Sequence, residues 1–172
     1  SKVKDLGIIV DCDIKFGFHI SNCAAKGHSR ANLIHKCFMS KDRDTLLKAY
    51  ITYVRPLMEY GSPVWSPHLI GDIKQLEAVQ KRFTKRLHGM QQLDYPSRLA
   101  ELHIDSLELR RLHFDLIYTY KLLFGLIDLN PSEYFSLKSS ASSDTVTTRG
   151  HPYSLHVLYS RTDIRKYFFS NR

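Results

Sequence analysis

Four cations in the hexapeptide KRFTKR, Lys81, Arg82, Lys85 and Arg86, stand at spacings suited to gripping phosphate. On a helix Lys81 and Lys85 lie one turn apart, as do Arg82 and Arg86, and like charges so placed repel by about a few tenths of a kcal/mol per pair. Phosphodiester oxygens would relieve that repulsion. A solvated helix face is the bland alternative. Lys26 and Arg30 upstream, and Arg110 and Arg111 downstream, add positive charge, while Glu77, Glu101 and Glu108 can absorb part of it.

Other reactive residue types form weaker patterns. Asp11 and Asp13 could share one side of a strand, as carboxylates holding two Mg²⁺ would. No further acidic cluster accompanies them, and a strand end facing solvent is the ordinary reading. The nine histidines lack ligand spacing, and the i, i+7 pair His28 and His35 reads as polar surface. Cys12, Cys23 and Cys37 are odd in number, widely spaced and without a CxxC pair, which favours a reduced, intracellular setting over a disulfide framework or zinc site. Walker, GxGxxG, HExxH and GxSxG motifs are absent. Neither a metal nor a cofactor is expected in this chain.

The stretch RPLMEYGSPVWSPHL, Arg55 to Leu69, holds the sole Trp and three of the six Pro. Tyr60 and Trp65 are candidates for stacking on a base or sugar beside a basic groove. The structural alternative takes precedence, because a Trp flanked by Val64 and Pro67 usually ends in a core.

The elements that must position these residues follow from periodicity. LGIIVDCDIKFGF reads as a strand, a turn and a second short strand. From about His19, Ile20, Ala24, Gly27, Ala31, Ile34 and Phe38 recur at helical spacing, with Lys26, Arg30 and Lys36 off that stripe. A second helix from about Arg43 carries Leu46, Leu47, Tyr50, Ile51 and Val54, and Pro56 ends it. In the third, Asp72 is the expected cap and Ile73, Leu76, Gln80, Phe83 and Leu87 the buried stripe, with Gly89 as the stop. After a loop at Asp94 to Pro96, SRLAELHI is a short helix. A long one follows, opened by a capping box of Asp105 and Glu108, with Leu109, Leu112, Leu116, Tyr120, Leu123 and Ile127 on its buried side. NPSEYF reads as a turn plus one helical turn. A Ser/Thr-rich connector then leads to an aromatic, basic end, too short to stand alone, that either packs back or is cut off from its own continuation.

The 172 residues suit one domain, or one with an appendage. Twenty-five Lys and Arg against seventeen Asp and Glu give a net charge of +8, which points to an anionic partner. No apolar run is long enough to span a membrane, and the opening residues do not form a signal peptide. The chain begins at Ser1 without an initiator Met, as an excised piece would.

The order LGIIVD, FHI, LLKAYITYVRPLMEYGSPVWSPH, IKQLEAVQKRFTKRLHG, YPSRLAELHIDSLELRRLHFDLIYTYKLLFG, TRGHPYSL and RTDIRKYFFSNR resembles the C-terminal, thumb and following region of LINE-type (non-LTR retrotransposon) reverse transcriptases, along essentially the whole chain. The resemblance implies a mainly α-helical bundle with a short β element at its start. Residues 1–18 would end a palm-like β element, 19–137 would form the helical thumb, 138–152 the connector, and 153–172 a truncated C-terminal segment. It implies partners too: an RNA template with its DNA primer, the hybrid duplex, and the upstream fingers and palm of the same polypeptide. Mg²⁺ would serve the parent polymerase and the nucleus would be its compartment. The family's paired aspartates lie upstream of the matched region, and this chain has no Asp-Asp dipeptide. A Trp-Asn-containing segment that should follow FFSNR is also missing. The chain is therefore expected to be inactive alone and to bind template and primer without catalysis. The competing expectation is a helical protein-interaction module, or a domesticated or pseudogene remnant.

Overall fold

The computed structural model describes residues 2–137, 153–157 and 159–172. It is mainly helical, with a short two-stranded sheet at the N-terminus. Strands β1 (Lys2–Asp5) and β2 (Ile8–Asp11) pair antiparallel with Asp5 opposite Ile8. Leu6 and Gly7, at φ of 44° and 88°, make the two-residue turn between them, whose positive dihedrals match the twist of the flanking strands. The expected strand after Asp13 does not form. Instead the Asp11 carboxylate accepts from the Lys15 amide at 2.9 Å and the Asp11 carbonyl from that of Ile14, so the chain turns straight into helix.

Helix α1 (Gly17–Cys37) buries Ile20, Ala24, Gly27, Ala31 and Ile34, the expected stripe. Helix α2 (Arg43–Tyr53) starts where Asp42 accepts the Thr45 amide at 2.8 Å, and buries Leu46, Tyr50 and, just beyond its end, Val54. The Pro-rich segment is not an irregular connection. It winds into two single turns, α3 (Pro56–Glu59) and α4 (Ser62–Trp65), since Pro is tolerated in a first helical turn and Gly61 supplies a left-handed residue (φ 65°) between them.

Helix α5 (Ile70–Lys85) begins two residues before the expected cap: Leu69 is the N-cap and Asp72 lies inside the first turn. It crosses α1 closely at Gly27, where a Cβ would stand 3.1 Å from Val79 Cγ1 and 3.2 Å from Met58 Sδ. Helix α6 (Tyr95–Glu101) is capped by Asp94, so the supposed loop at Asp94 to Pro96 is its first turn. Helix α7 (Leu107–Leu123) takes its cap from Ser106 rather than Asp105, with Ser106 Oγ accepting the Leu109 amide at 3.2 Å.

The chain divides into two compact units, Ser1–Phe114 and Asp115–Arg172. In the first, Ile20, Tyr50, Trp65, Leu76, Val79, Phe83, Leu87 and Leu107 share one core. In the second, Leu122, Phe135 and Phe169 cluster with Tyr118, Tyr134 and Leu155. Strands β3 (Ser136–Leu137) and β4 (Leu155–His156) pair there, and α8 (Asp163–Lys166) precedes Phe169. The end of the chain thus packs back as expected, helped by an Arg172 to Asp115 ion pair at 2.8 Å. NPSEYF forms a single 3-10 turn over Pro131–Glu133. The Ser/Thr-rich connector, 138–152, lies outside the described residues.

The expected buried side of α7 is overturned at four of its six positions, Leu123 and Ile127 being half-buried. Leu109, Leu112, Leu116 and Tyr120 are exposed, at 40 to 59% of their surface, while Leu107, Arg111 and Leu122 are buried. Periodicity finds an apolar stripe; burial requires something to cover it.

Candidate nucleic-acid interface

Helix α5 turns Leu76, Val79, Gln80 and Phe83 inward, and this sets Lys81, Arg82, Lys85 and Arg86 on its exposed side. Among the described residues none of the four forms an ion pair with a carboxylate. Two of the acidic groups expected to offset them are engaged elsewhere. Glu77 is buried, accepting the Tyr95 hydroxyl and the Leu107 amide, and Glu101 pairs with Arg43 at 3.2 Å. Lys81 Nζ instead lies over the Tyr95 ring, 5.0 Å from its centroid.

His28, Asn32 and His35 share one face of α1, which Arg86 reaches and on which the charges of Arg82 and Arg86 act. Arg86 donates to Asn32 Oδ1 at 2.8 Å. Burial, then the Arg82 charge, hold the His28 imidazole below its ordinary value. His35 packs its ring on Phe83, centroids 4.6 Å apart, and is held low by burial, then Arg86 and Lys41, against an opposing hydrogen bond that the ring donates to the Phe83 backbone. The pair read from spacing as polar surface is therefore a half-buried part of the α1 and α5 seam. The signal was present in the sequence, as His28, Asn32 and His35 recur at i, i+4 and i+7.

Lys26 and Arg30 lie on the other flank of α1. Arg30 donates to the Tyr53 carbonyl at 3.5 Å, and Lys26 borders a cavity of about 300 Å³ with His19, Cys23, Leu57 and Tyr60. Arg110 and Arg111 do not join the α5 surface either. Both prongs of Arg110 grip Glu59, which also has Arg55 at 3.6 Å, and Arg111 is only 3% exposed.

Trp65 cannot stack on a nucleic acid, because its side chain is 1% exposed. Its Nε1 donates to the Tyr60 carbonyl at 2.8 Å and its ring meets His19 edge-on at 4.9 Å. It therefore fastens the Pro-rich segment to α1. Tyr60 is exposed, but its hydroxyl donates to the Leu6 carbonyl, on the hairpin side of the fold.

Two further constellations test for chemistry. Asp11 closes its turn and Asp13 pairs with Lys15 at 3.6 Å, and among the described residues no group of three His, Cys, Asp or Glu could hold a metal ion. These residues do not fit a Mg²⁺ pair. Cys23 Sγ lies 3.4 Å from His19 Nε2, a contact not anticipated from sequence. The Ile9 amide donates to His19 Nδ1 at 3.2 Å, which puts the ring proton on Nε2. The imidazole thus donates to the sulfur and is not placed to take its proton, while burial raises the thiol's pKa.

No helix among the described residues is long and apolar enough to cross a membrane. No family model matches the chain, and no solved structure matches it. An uncharacterized protein of Caenorhabditis elegans is 29% identical over 160 residues, covering 90% of this chain and 79% of that protein.

Proposed function

We propose that the exposed face of α5 grips nucleic-acid phosphate backbones, as part of the thumb of a LINE-type reverse transcriptase holding an RNA template and its growing DNA strand. The observation that carries this reading is the set of four exposed cations, Lys81, Arg82, Lys85 and Arg86, with no carboxylate paired to them among the described residues. Arg86 extends the surface to Asn32. Backbone contacts of this kind position a duplex and carry no sequence information, so little sequence preference is expected. Polymerase chemistry and its Mg²⁺ would belong to upstream fingers and palm of the same polypeptide, acting in the nucleus.

The test is binding of a labelled RNA–DNA hybrid at rising salt. Four phosphate contacts imply a loss of about a hundredfold in affinity between about 50 and 200 mM salt. A variant with Lys81, Arg82, Lys85 and Arg86 all changed to Ala should bind far more weakly and with a shallower salt slope. Equal binding by that variant would remove α5 from the interface.

A second reading, a helical protein-interaction module, is favoured by one observation. Leu109, Leu112, Leu116 and Tyr120 form an exposed apolar stripe on α7, the kind of surface that a further protein element covers. Scattering with and without nucleic acid separates the two: a self-sufficient module is compact and monodisperse alone and unchanged by nucleic acid, whereas a severed thumb self-associates.

A further inference from the structure

The four cations of α5 account for only half of the seam they border. Across it, His28, Asn32 and His35 share one face of α1, and Arg86 bridges to that face by a direct 2.8 Å hydrogen bond to Asn32 Oδ1. Accepting through Oδ1 leaves the Asn32 amide NH₂ as a donor. We infer that the phosphate-binding surface runs from α5 across the seam onto α1, taking in His28, Asn32 and His35, and that a phosphodiester chain lying there is bound together with protons. This rests on the reading of α5 as a phosphate grip.

Geometry makes the two imidazoles sensitive to what occupies the seam. His28 is half-buried on α1 within the field of Arg82. His35 packs on the Phe83 ring, centroids 4.6 Å apart, within the field of Arg86, the C-cap of α5, and of Lys41 in the segment after α1. Among the described residues, the charges acting on the two rings are all cationic. In the free protein, burial and those cations favour the neutral rings. A phosphodiester chain would offset the charges of Arg82, Arg86 and Lys41, and would accept a hydrogen bond from protonated His28, whereas His35 Nε2 is buried and that ring responds to the offset charge. The sign follows directly: pKa values that rise on binding mean proton uptake, so affinity increases as pH falls through the histidine range. His28 and His35 would then add positive charge to the contact surface only when an anion is present.

The experiment measures affinity of the 172-residue chain for a rhodamine-labelled RNA–DNA hybrid, at fixed salt, between about pH 8 and about pH 6. The expected result is roughly tenfold tighter binding at the lower pH, equivalent to a rise of about one pKa unit at one imidazole. A His28→Gln/His35→Gln variant should keep its affinity at the higher pH and lose most of the gain. Salt-dependent binding that is flat in pH, or a pH response that survives in the variant, overturns the inference and leaves the α5 grip standing. Absence of binding at every pH overturns both. Because His35 is packed on Phe83, its replacement can unfold the protein. NMR titration of the wild-type histidines with and without hybrid covers that case: upward shifts at His28 and His35 support the inference, and unchanged midpoints refute it.

Discussion

The Tyr95 hydroxyl donates a hydrogen bond to the Glu77 carboxylate, tying the first turn of α6 to the middle of α5. The same carboxylate oxygen accepts the Leu107 amide at 3.2 Å, so one buried acid holds the starts of α6 and α7. Gln80 extends the network, taking the Tyr50 hydroxyl at 3.1 Å and donating to Tyr95 and to the Asp105 carbonyl. Removing one member strands the others away from water. Tyr95→Phe should cost about 1–3 kcal/mol in urea unfolding, and Glu77→Ala more than Glu77→Gln. Unchanged midpoints would mean the network contributes no stability.

The same tyrosines set an alkaline limit. Burial raises the Tyr50 and Tyr95 hydroxyls above their ordinary value, and the nearby Glu77 pushes Tyr95 in the same direction. A phenol held neutral in the fold contributes stability that is fully present below the unfolded value of about 10 and lost as pH rises beyond it. Stability should therefore fall above about pH 10, and less steeply for Tyr50→Phe than for wild type, as followed by circular dichroism.

Gly27 sets the distance between α1 and α5. Its missing Cβ would meet Val79 Cγ1 at 3.1 Å and Met58 Sδ at 3.2 Å. Gly27→Leu should destabilise by about 1–3 kcal/mol through overpacking. For Gly27→Ala, a helix-propensity gain of about 1 kcal/mol opposes a contact only slightly too tight. Adding Val79→Ala to Gly27→Leu should recover part of the loss, and a double variant no better than the sum of the single changes would place the clash elsewhere.

Trp65 is the sole tryptophan and is buried, so it reports on the core rather than on ligand. Its emission should be blue-shifted and change little when nucleic acid binds. Trp65→Ala should cost about 3–5 kcal/mol. Strong quenching by an RNA–DNA hybrid at wild-type stability would contradict the burial and restore a stacking role.

Arg110 and Arg86 make opposite predictions despite their shared charge. Arg110 is two-pronged on Glu59 and mostly shielded, so Arg110→Ala should lower stability by about 1–2 kcal/mol and leave the salt slope of binding unchanged. Arg86→Ala should reverse that pattern, with near-native stability and a slope shallower by about one. Equal effects from both would mean the α5 surface is not distinct.

The stripes of α1, α2 and α5 were legible from spacing because each is amphipathic, and an amphipathic helix has one face that any compact fold must bury. That logic also put Lys81, Arg82, Lys85 and Arg86 on the outside. It failed on α7, which carries apolar residues on more than one face: Leu107 and Leu122 found cover, whereas Leu109, Leu112, Leu116 and Tyr120 did not. Local sequence pointed to a break at the Pro-rich segment, but Gly61 and two prolines near helix starts allow two extra turns there.

The amino-acid sequence by itself determined a mainly helical chain, a basic third helix and the inward stripes of three helices, because these depend on periods within one element. Which cations remain available was decided only by tertiary structure. Glu59 captured Arg110, the core took in Arg111, Lys26 and Arg30 fell on the far flank of α1, and Asn32 met Arg86. Those outcomes depend on close approaches between residues as many as 54 positions apart, such as Asn32 and Arg86, which no local period encodes.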